Sequence, residues 1–320
     1  MGYFAEDNAA ECLLLCAPGS AAKVLLDALA IHVAVESISW KALHGLFFFS
    51  RAASGGPAEE GTTPRTSLVR GDAVPRVIAA LTTHPSSEDV AWRGTGVLHA
   101  LAAPPDEHRV RILECGGLVV LVKVIRNHMP SFRAQEHALG CVSHLVYDPV
   151  VCADALAAGV VQSVVQSLRI HWTVAAVVVG GIELLRCMAR TEEGRSEVIG
   201  KGGTEQLLLS LEVHPDIRDV QLAAVEAANA LALNEMPAES KQVAKRGLAA
   251  AVVARMAEKA NAASPDVQLC GAGALWALTR AHAAKDLGVV TEAKRGEEAK
   301  IIIPRVCIAM VQHARQGEVW

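Results

Sequence analysis

The sequence predicts an all-α solenoid built from a repeated helical unit. Ala, Val and Leu dominate a chain that is 52% hydrophobic but only 4% aromatic, and this composition favours helices over sheets. A pattern of apolar and small residues recurs six times along most of the 320 residues. Because each such unit is too small to bury its own apolar face, recurrence of this kind indicates stacked repeats.

The pattern is clearest in the last helix of each repeat, when six segments are aligned on a common start, offset 0. The starts are Ile38, Val90, Ala134, Val177, Val220 and Val267. Offsets 0, 4, 8 and 11 are apolar or small, which defines one face of an α-helix. Offset 4 is always Ala or Gly, so a neighbouring helix can approach it closely. The predicted core residues at offset 11 are Leu101, Leu145, Leu231 and Leu278.

A second helix precedes each of these third helices. The predicted second helices are Ala73–Thr83, Leu118–Asn127, Val160–Ile170, Thr204–Val213 and Leu248–Glu258. A Gly or a Gly-Asp step introduces each of them, and a shorter helical stretch such as His108–Cys115 comes before most of these steps. Since Gly readily ends a helix in the left-handed conformation, the unit is short helix, Gly, helix, tight turn and longer helix, in about 43 residues.

This unit resembles the armadillo repeat. The residues that carry the resemblance are Val220-Gln221 with Ala227, Leu231 and Ala232, and Val267-Gln268 with Ala274-Leu275-Trp276-Ala277-Leu278. The resemblance implies a right-handed α-solenoid of about six three-helix repeats plus a truncated seventh. The repeats are most similar to the armadillo regions of leucine-rich-repeat kinases and to small cytosolic armadillo proteins.

The predicted domain organisation is an N-terminal segment at 1–18 and a repeat domain at 19–320. A flexible surface loop is predicted at 50–67, because this stretch is rich in Gly, Pro, Ser and Thr. Near the C-terminus, Ile301–Gln312 has the pattern of a second helix, and Val319-Trp320 resembles the start of a third. These residues are expected to form part of the seventh repeat.

Composition argues against several classes of partner and compartment. With a net charge of −4, a pI near 6.3 and no basic stripe, the chain is not expected to bind nucleic acid. No basic residue precedes Lys23, which argues against a secretory signal, and the most apolar stretch, Trp172–Ile182, is too short for a membrane span. Eight Cys without a CxxC pair predict a reducing compartment, the cytoplasm or the nucleus.

A ladder of His residues closes the second helices. Its members are His32, His84, His128, His171 and His214, with His313 continuing it and Lys259 replacing His in the sixth repeat. Metal or proton chemistry is one interpretation. The favoured interpretation is structural, because His at a helix C-terminus can donate to exposed carbonyls, and because residues in successive repeats lie too far apart to share one ion.

The sequence contains no recognisable catalytic motif. Gly116-Gly117 and Gly202-Gly203 fit no phosphate-binding pattern, and no GxSxG sequence is present. Cys12 and Cys16 lie one helical turn apart around three Leu residues, so packing is favoured over metal or redox chemistry. No catalytic residue, metal or cofactor is therefore expected, and the chain is not predicted to be an enzyme.

In the armadillo family, third helices line a concave groove, and nuclear-import adaptors carry Trp at offset 9 and Asn at offset 13. Here only Trp276 matches the Trp position and no Asn matches, so the resemblance does not imply binding of nuclear-localisation signals. Arg186 and Arg190 are four residues apart and are predicted to share a helix face, which with Arg280 suggests an acidic partner; solvated helix ends are the alternative. The candidate groove residues are Arg186, Arg190, Trp276, Arg280, His144 and Tyr147.

The function predicted from these features is a protein-interaction scaffold or adaptor that binds a protein or peptide partner in its groove. The alternative is a regulatory repeat region of a larger multidomain protein, such as a kinase or a ubiquitin ligase. A stand-alone enzyme is a third hypothesis, which a bound cofactor or metal would support. The sequence specifies neither the partner nor the oligomeric state.

Overall fold

Helices form nearly all of the structure, a computed structural model that describes residues 21–51, 64–103, 106–232, 248–257 and 264–280. No strand occurs in these ranges. The helices, numbered in chain order, are α1 Ala21–Ile31, α2 Glu36–Arg51, α3 Pro64–Arg70, α4 Ala73–Thr83, α5 Glu88–Ala102, α6 Asp106–Glu114, α7 Gly117–Asn127, α8 Phe132–Leu145, α9 Pro149–Ala157, α10 Val160–Ile170, α11 Ala175–Met188, α12 Glu192–Gly200, α13 Gly203–Val213, α14 Arg218–Ala232, α15 Leu248–Ala257 and α16 Pro265–Arg280. The all-α prediction is confirmed.

The chain divides into two compact units, residues 1–163 and 164–320. In the first unit the third helices of successive repeats pack side by side, α2 against α5 and α5 against α8. In the second unit α11 packs against α14, and α14 against α16. Second helices pack against the third helix of their own repeat in the pairs α1 and α2, α4 and α5, α7 and α8, α13 and α14, and α15 and α16.

The step from first to second helix uses a left-handed residue, as the Gly pattern predicts. Gly116 and Gly202 have φ values of 77° and 91°, a region that costs a residue with a side chain about 1–2 kcal/mol. At the Gly71-Asp72 step the left-handed residue is Asp72, with φ 60°. Asp tolerates this conformation better than most side chains because it is short and polar.

The small residues at offset 4 allow second and third helices to touch. A Cβ atom added to Gly94 would lie 2.8 Å from Cδ2 of Leu81, and one added to Gly181 would lie 2.6 Å from Cδ2 of Leu168. The Leu residues at offset 11 are core residues, as predicted: Leu101, Leu145 and Leu231 are exposed by no more than 2%. The side chain of Leu278 lies outside the described part of the chain.

Gln at offset 1 closes the turn between second and third helices. The amide of Gln135 donates to the carbonyls of Ile125 and His128, at 2.9 and 3.0 Å. Gln221 makes the same pair of bonds to Leu211 and His214, at 3.2 and 2.8 Å. These carbonyls end the second helix and have no partner within it, so one buried side chain satisfies two of them.

The His ladder has a structural role that differs in one respect from the predicted one. The ring of His128 donates through Nε2 to the carbonyl of Pro85, at 3.0 Å, and His214 donates to the carbonyl of Trp172, at 2.9 Å. His84 makes the equivalent bond to Val33, at 2.6 Å. The accepting carbonyl therefore does not belong to the helix that carries the ring. It belongs to the residue that directly follows the ladder His of the preceding repeat. The His rings bridge repeats.

We expect His128→Phe and His214→Phe each to lower the free energy of unfolding by about 0.5–1.5 kcal/mol, because each removes a hydrogen bond between a buried ring and the preceding repeat. Urea denaturation would measure the change. His32→Phe is the matched control: its ring is exposed, and its loss should cost less than about 0.5 kcal/mol. A chelator should leave all three midpoints unchanged, whereas a chelator-induced loss of stability that His128→Phe abolishes would contradict the structural role.

Two predicted boundaries are revised. The loop predicted at 50–67 is shorter, because Ser50 and Arg51 end α2 and Pro64 begins α3; residues 52–63 lie outside the described ranges. The predicted segment 1–18, Cys12 and Cys16, Lys259, His313 and the seventh repeat also lie outside them. No single described helix is long and apolar enough to cross a membrane. The helices α9 and α10, which meet at a bend of 73°, reach the required length and apolar composition when they are taken together.

Candidate functional site

The third helices of the first unit carry a concentration of aromatic and cationic side chains. Those on the third helices occupy offsets 2, 3, 6, 9, 10 and 13, except Phe132 and Arg133, which precede offset 0 by two residues and by one. These positions face away from the buried stripe at offsets 0, 4, 8 and 11. Arg65 lies on α3. One part, the Trp–Arg row, consists of Trp40, Trp92, Arg93, Phe132 and Arg133. The other part, the His pocket, is lined by Phe47, Arg51, Arg65, Gly96, His99, Ala100, Ala103, Glu136, His137 and His144. Together they form what we call the aromatic face.

The Trp–Arg row alternates rings and guanidinium groups across α2, α5 and α8. The guanidinium of Arg93 lies 4.7 Å from the ring centroid of Trp40 and 4.1 Å from that of Trp92. Arg133 lies 5.4 Å from the Trp92 centroid and 5.7 Å from that of Phe132. These separations are within the range of cation–π attraction. The half-buried indole rings are therefore already stacked with cations of the chain itself.

Arg93 is held in this position from two sides. It forms an ion pair with Asp89, one turn earlier on α5, and its Nε donates to Nδ1 of His44 at 3.4 Å. Burial, reinforced by the Arg93 charge, lowers the pKa of His44 below its usual value. This shift favours the neutral form of the ring, which has an acceptor nitrogen for the guanidinium.

Glycines at offset 6 create the space in which the His pocket forms. A Cβ atom on Gly96 would lie 2.6 Å from Cε2 of Phe47, and one on Gly140 would lie 2.5 Å from Cε1 of His99. Each ring at offset 9 thus packs onto the Gly of the following repeat. Phe47 then lies 5.4 Å from His137, centroid to centroid. Any larger residue at these two Gly positions would displace a ring.

The His pocket is a cavity of about 310 Å³ that contains three imidazole rings. The centroid of His99 lies 5.9 Å from that of His137 and 5.4 Å from that of His144. Arg51 lies over Phe47 at 5.3 Å, and Arg65 donates to the carbonyl of Ser50 at 3.0 Å. In the part of the chain that the structure describes, no three His, Cys, Asp or Glu side chains are arranged to hold a metal ion.

Burial favours the neutral form of two of the pocket's imidazoles, His99 and His137. It lowers the pKa of His99 to about 3, with further lowering by His144, His137, Arg51 and Arg65. It lowers the pKa of His137 to about 4, with a contribution from Arg51. Burial also raises the pKa of Glu136, although Arg51 and Arg133 oppose this rise. At neutral pH the rings of His99 and His137 are therefore uncharged, whereas the guanidinium groups of Arg51 and Arg65 remain charged.

Comparison with solved structures identifies this architecture. A designed armadillo repeat protein in complex with the peptide (KR)4 superposes with a TM-score of 0.62 at 18% identity, over 80% of this chain and 98% of its own. A computationally designed armadillo repeat protein for modular peptide recognition gives the same values. The fold is an armadillo-repeat solenoid. A structure concerning a phosphorylation switch that controls the interaction between cadherin and beta-catenin superposes at 0.65 and 13% identity, over 82% of this chain and 53% of that one.

The comparisons that use the sequence alone found no relative. The sequence matches no protein-family model, and no curated protein matches it significantly. At identities of 13–18% the solved structures share an architecture with this chain, which carries no information on partners.

The armadillo fold places the predicted groove residues in different environments. His144 lies in the His pocket. Arg186 is engaged within the chain, since it donates to Glu183 at 3.0 and 2.6 Å and lies 3.5 Å from Glu226. Arg190 is exposed.

The prediction that Arg186 and Arg190 share a helix is wrong, because α11 ends at Met188 and Arg190 lies in the following turn. Tyr147 is exposed beyond the end of α8, with the guanidinium of Arg109 4.7 Å from its ring. The side chains of Trp276 and Arg280 lie outside the described part of the chain.

Sequence reasoning missed most of this armadillo surface. Of the residues that form the His pocket, only His144 is among the predicted groove residues; Phe47, His99 and His137 are not. The signal that could have found the site is Gly at offset 6 of the second and third repeats, Gly96 and Gly140. A Gly inside a helix lowers its stability by about 1 kcal/mol relative to Ala, so its presence usually indicates a close contact.

Proposed function

We propose that this chain is a protein-interaction module that binds an extended segment of a partner protein across the aromatic face. The observation that carries the proposal is the distribution of large rings. Of five Trp and five Phe in the chain, four lie on this one face: Trp40, Phe47, Trp92 and Phe132. The ring of Phe48 adjoins it, 5.9 Å from that of Phe47. Aromatic residues and Arg are enriched at the centres of protein interfaces, where they contribute most of the binding energy.

The architecture supports this use of the surface. A solenoid of stacked repeats presents an extended row of equivalent helices, which suits an extended ligand. One structural neighbour is in complex with a peptide, and another concerns the interaction of cadherin with beta-catenin. We propose the same general activity, protein binding, for this chain, on a surface whose residues are its own.

Binding rather than catalysis is proposed for the His pocket. The residues that line it include no hydroxyl, thiol or amine that could act as a nucleophile. Two of its imidazoles have pKa values of about 3 and about 4, far from the value near the working pH that favours a general base.

Five described cysteines are free thiols, three of them buried, which supports the further proposal of a reducing compartment, the cytoplasm or the nucleus.

The experiment is selection of peptides from a random library displayed on phage, with the intact chain as bait. We expect enriched peptides whose dissociation constant rises at least tenfold in Trp92→Ala, because truncation removes the ring on which Arg93 and Arg133 are stacked. Trp172→Ala is the matched control. Trp172 is 44% exposed and belongs to the second unit, so its truncation should change the constant less than twofold. Circular dichroism would verify that both variants fold.

Two outcomes would contradict the proposal. One is the absence of any enriched peptide family. The other is a set of peptides that bind Trp92→Ala and Arg133→Ala as tightly as the unaltered chain, since these peptides would occupy some other surface.

A further inference from the structure

We infer that the His pocket is a subsite for a carboxylate side chain, so that the segment bound by the aromatic face is acidic. The inference rests on the proposed function, because it specifies the ligand chemistry of the same face. Its occupant is an extended segment of a partner protein that carries Asp or Glu. Three observations support this inference: the charge of the pocket, the stacking of Arg side chains on the rings of the Trp–Arg row, and the size and hydrogen-bond donors of the pocket.

The balance of charge in the His pocket is positive. Its lining contributes two cations, Arg51 and Arg65, and one carboxylate, Glu136. In the adjoining Trp–Arg row, Arg93 pairs with Asp89. The excess of cations in the pocket favours an incoming anion and speeds its association.

The Trp–Arg row argues against a basic ligand. A Lys or Arg of a ligand would need the open face of an indole ring to stack on. The rings of Trp40 and Trp92 already have Arg93 at 4.7 and 4.1 Å, and Trp92 also has Arg133 at 5.4 Å. A basic side chain arriving here would meet like charges within a few ångströms. An acidic side chain would instead find guanidinium groups held in place by the rings.

Arg51 brings its charge into the His pocket. It lines the cavity, and its charge acts on His99, His137 and Glu136 together. Among the residues that the structure describes, it forms no ion pair; its contact is with the ring of Phe47 at 5.3 Å. A guanidinium in this position can donate two parallel hydrogen bonds to a carboxylate.

The pocket also contains neutral donors and the right amount of space. A neutral imidazole keeps one N–H group, which can donate to a carboxylate oxygen. In the described part of the chain, Nδ1 of His137 is buried without a hydrogen-bond partner. A volume of about 310 Å³ is at the lower limit for small-molecule sites, so it suits a side chain better than a large cofactor.

Arg51 and Glu136 line the same pocket and carry opposite charges, so replacing them one at a time tests the inference. If a carboxylate enters the pocket, Arg51→Gln should weaken binding and Glu136→Gln should strengthen it. A role for the pocket in stability alone does not predict opposite effects on the affinity for one ligand.

The probe is a fluorescein-labelled octapeptide of alternating Asp and Glu, titrated with the intact chain and followed by fluorescence anisotropy at low salt. We expect it to bind at least tenfold more tightly than an octapeptide of Asn and Gln, and more tightly than one of Lys and Arg. We expect Arg51→Gln to weaken binding at least fivefold and Glu136→Gln to strengthen it about threefold. Arg111→Gln is the matched control on α6, and it should change affinity less than twofold.

The inference is overturned if the basic octapeptide binds as tightly as the acidic one, or if Arg51→Gln and Glu136→Gln leave the affinity unchanged. If a phosphoserine octapeptide binds more than tenfold more tightly than the acidic one, the subsite is for phosphate and not for carboxylate. Glu59 and Glu60 lie in the sequence between α2 and α3. If replacing both by Gln raises the affinity more than tenfold, the chain's own carboxylates compete for the pocket, and the inference that it serves a partner is overturned.

Failure of this inference can be told from failure of the proposed function. Library peptides that depend on Trp92, lack acidic residues and bind Arg51→Gln normally would preserve the binding function and refute the acidic ligand. The absence of any Trp92-dependent peptide would refute both.

Discussion

Leu145→Ala is expected to lower the free energy of unfolding by about 2–5 kcal/mol. Leu145 is fully buried at offset 11 of α8, the position that closes the core of its repeat. Truncation removes apolar contacts and leaves a cavity that the surrounding helices can fill only in part. Urea denaturation followed by circular dichroism would measure the loss.

Val150→Ala is the control for Leu145→Ala, because Val150 is 70% exposed at the start of α9. It should change stability by no more than about 0.5 kcal/mol. An unchanged midpoint in Leu145→Ala would show that the helix register, and with it the whole alignment of repeats, is wrong. Leu101→Ala should behave as Leu145→Ala does, since Leu101 occupies the same offset in the preceding repeat and is equally buried.

Lowering the pH from 7.5 to 5 is expected to destabilise the chain by about 2–4 kcal/mol through the His pocket. The folded-state pKa values of His99 and His137 are about 3 and about 4, against 6.5 for an unperturbed His. Between these values the unfolded chain binds protons that the folded chain does not. The contribution of each ring is therefore fully present above pH 6.5 and is lost as the pH falls toward the folded-state value.

The pH dependence is measured as the urea midpoint at intervals between pH 7.5 and 5. His99→Gln/His137→Gln should flatten this dependence, even if it lowers stability at every pH. The raised pKa of Glu136 acts in the opposite direction, since a protonated carboxyl is more favourable in the folded state, and it matters most toward the acid end of this window. An equally steep slope in the double variant would contradict the assignment of the effect to these two rings.

The helices were predictable because their sequence signals are local. Ala73–Thr83 and Val160–Ile170 have the predicted bounds, since a Gly-containing step precedes each and a His follows each. Ser50–Ser67 was less predictable. Its Gly, Pro, Ser and Thr content indicates a loop, but Pro at the first position of a helix is also favourable, and α3 begins at Pro64.

The His pocket could not be read from one helix at a time. It forms because offset 9 of one repeat meets offset 6 of the next, as Phe47 meets Gly96 and His99 meets Gly140. In the second unit the same relation brings Arg186 to Glu226, at 3.5 Å. Equivalent offsets alone do not reveal this diagonal pairing, so the sequence predicts an acid-binding role for Arg186 and none for His99.

The crystal structure of the chain with a library-selected peptide tests the central claim most directly. The claim is that the third helices of the first unit form the binding surface. It predicts a peptide lying across α2, α5 and α8, in contact with Trp92 and Arg133. A peptide bound elsewhere on the molecule, with the rings of Trp40 and Trp92 uncovered, would contradict it.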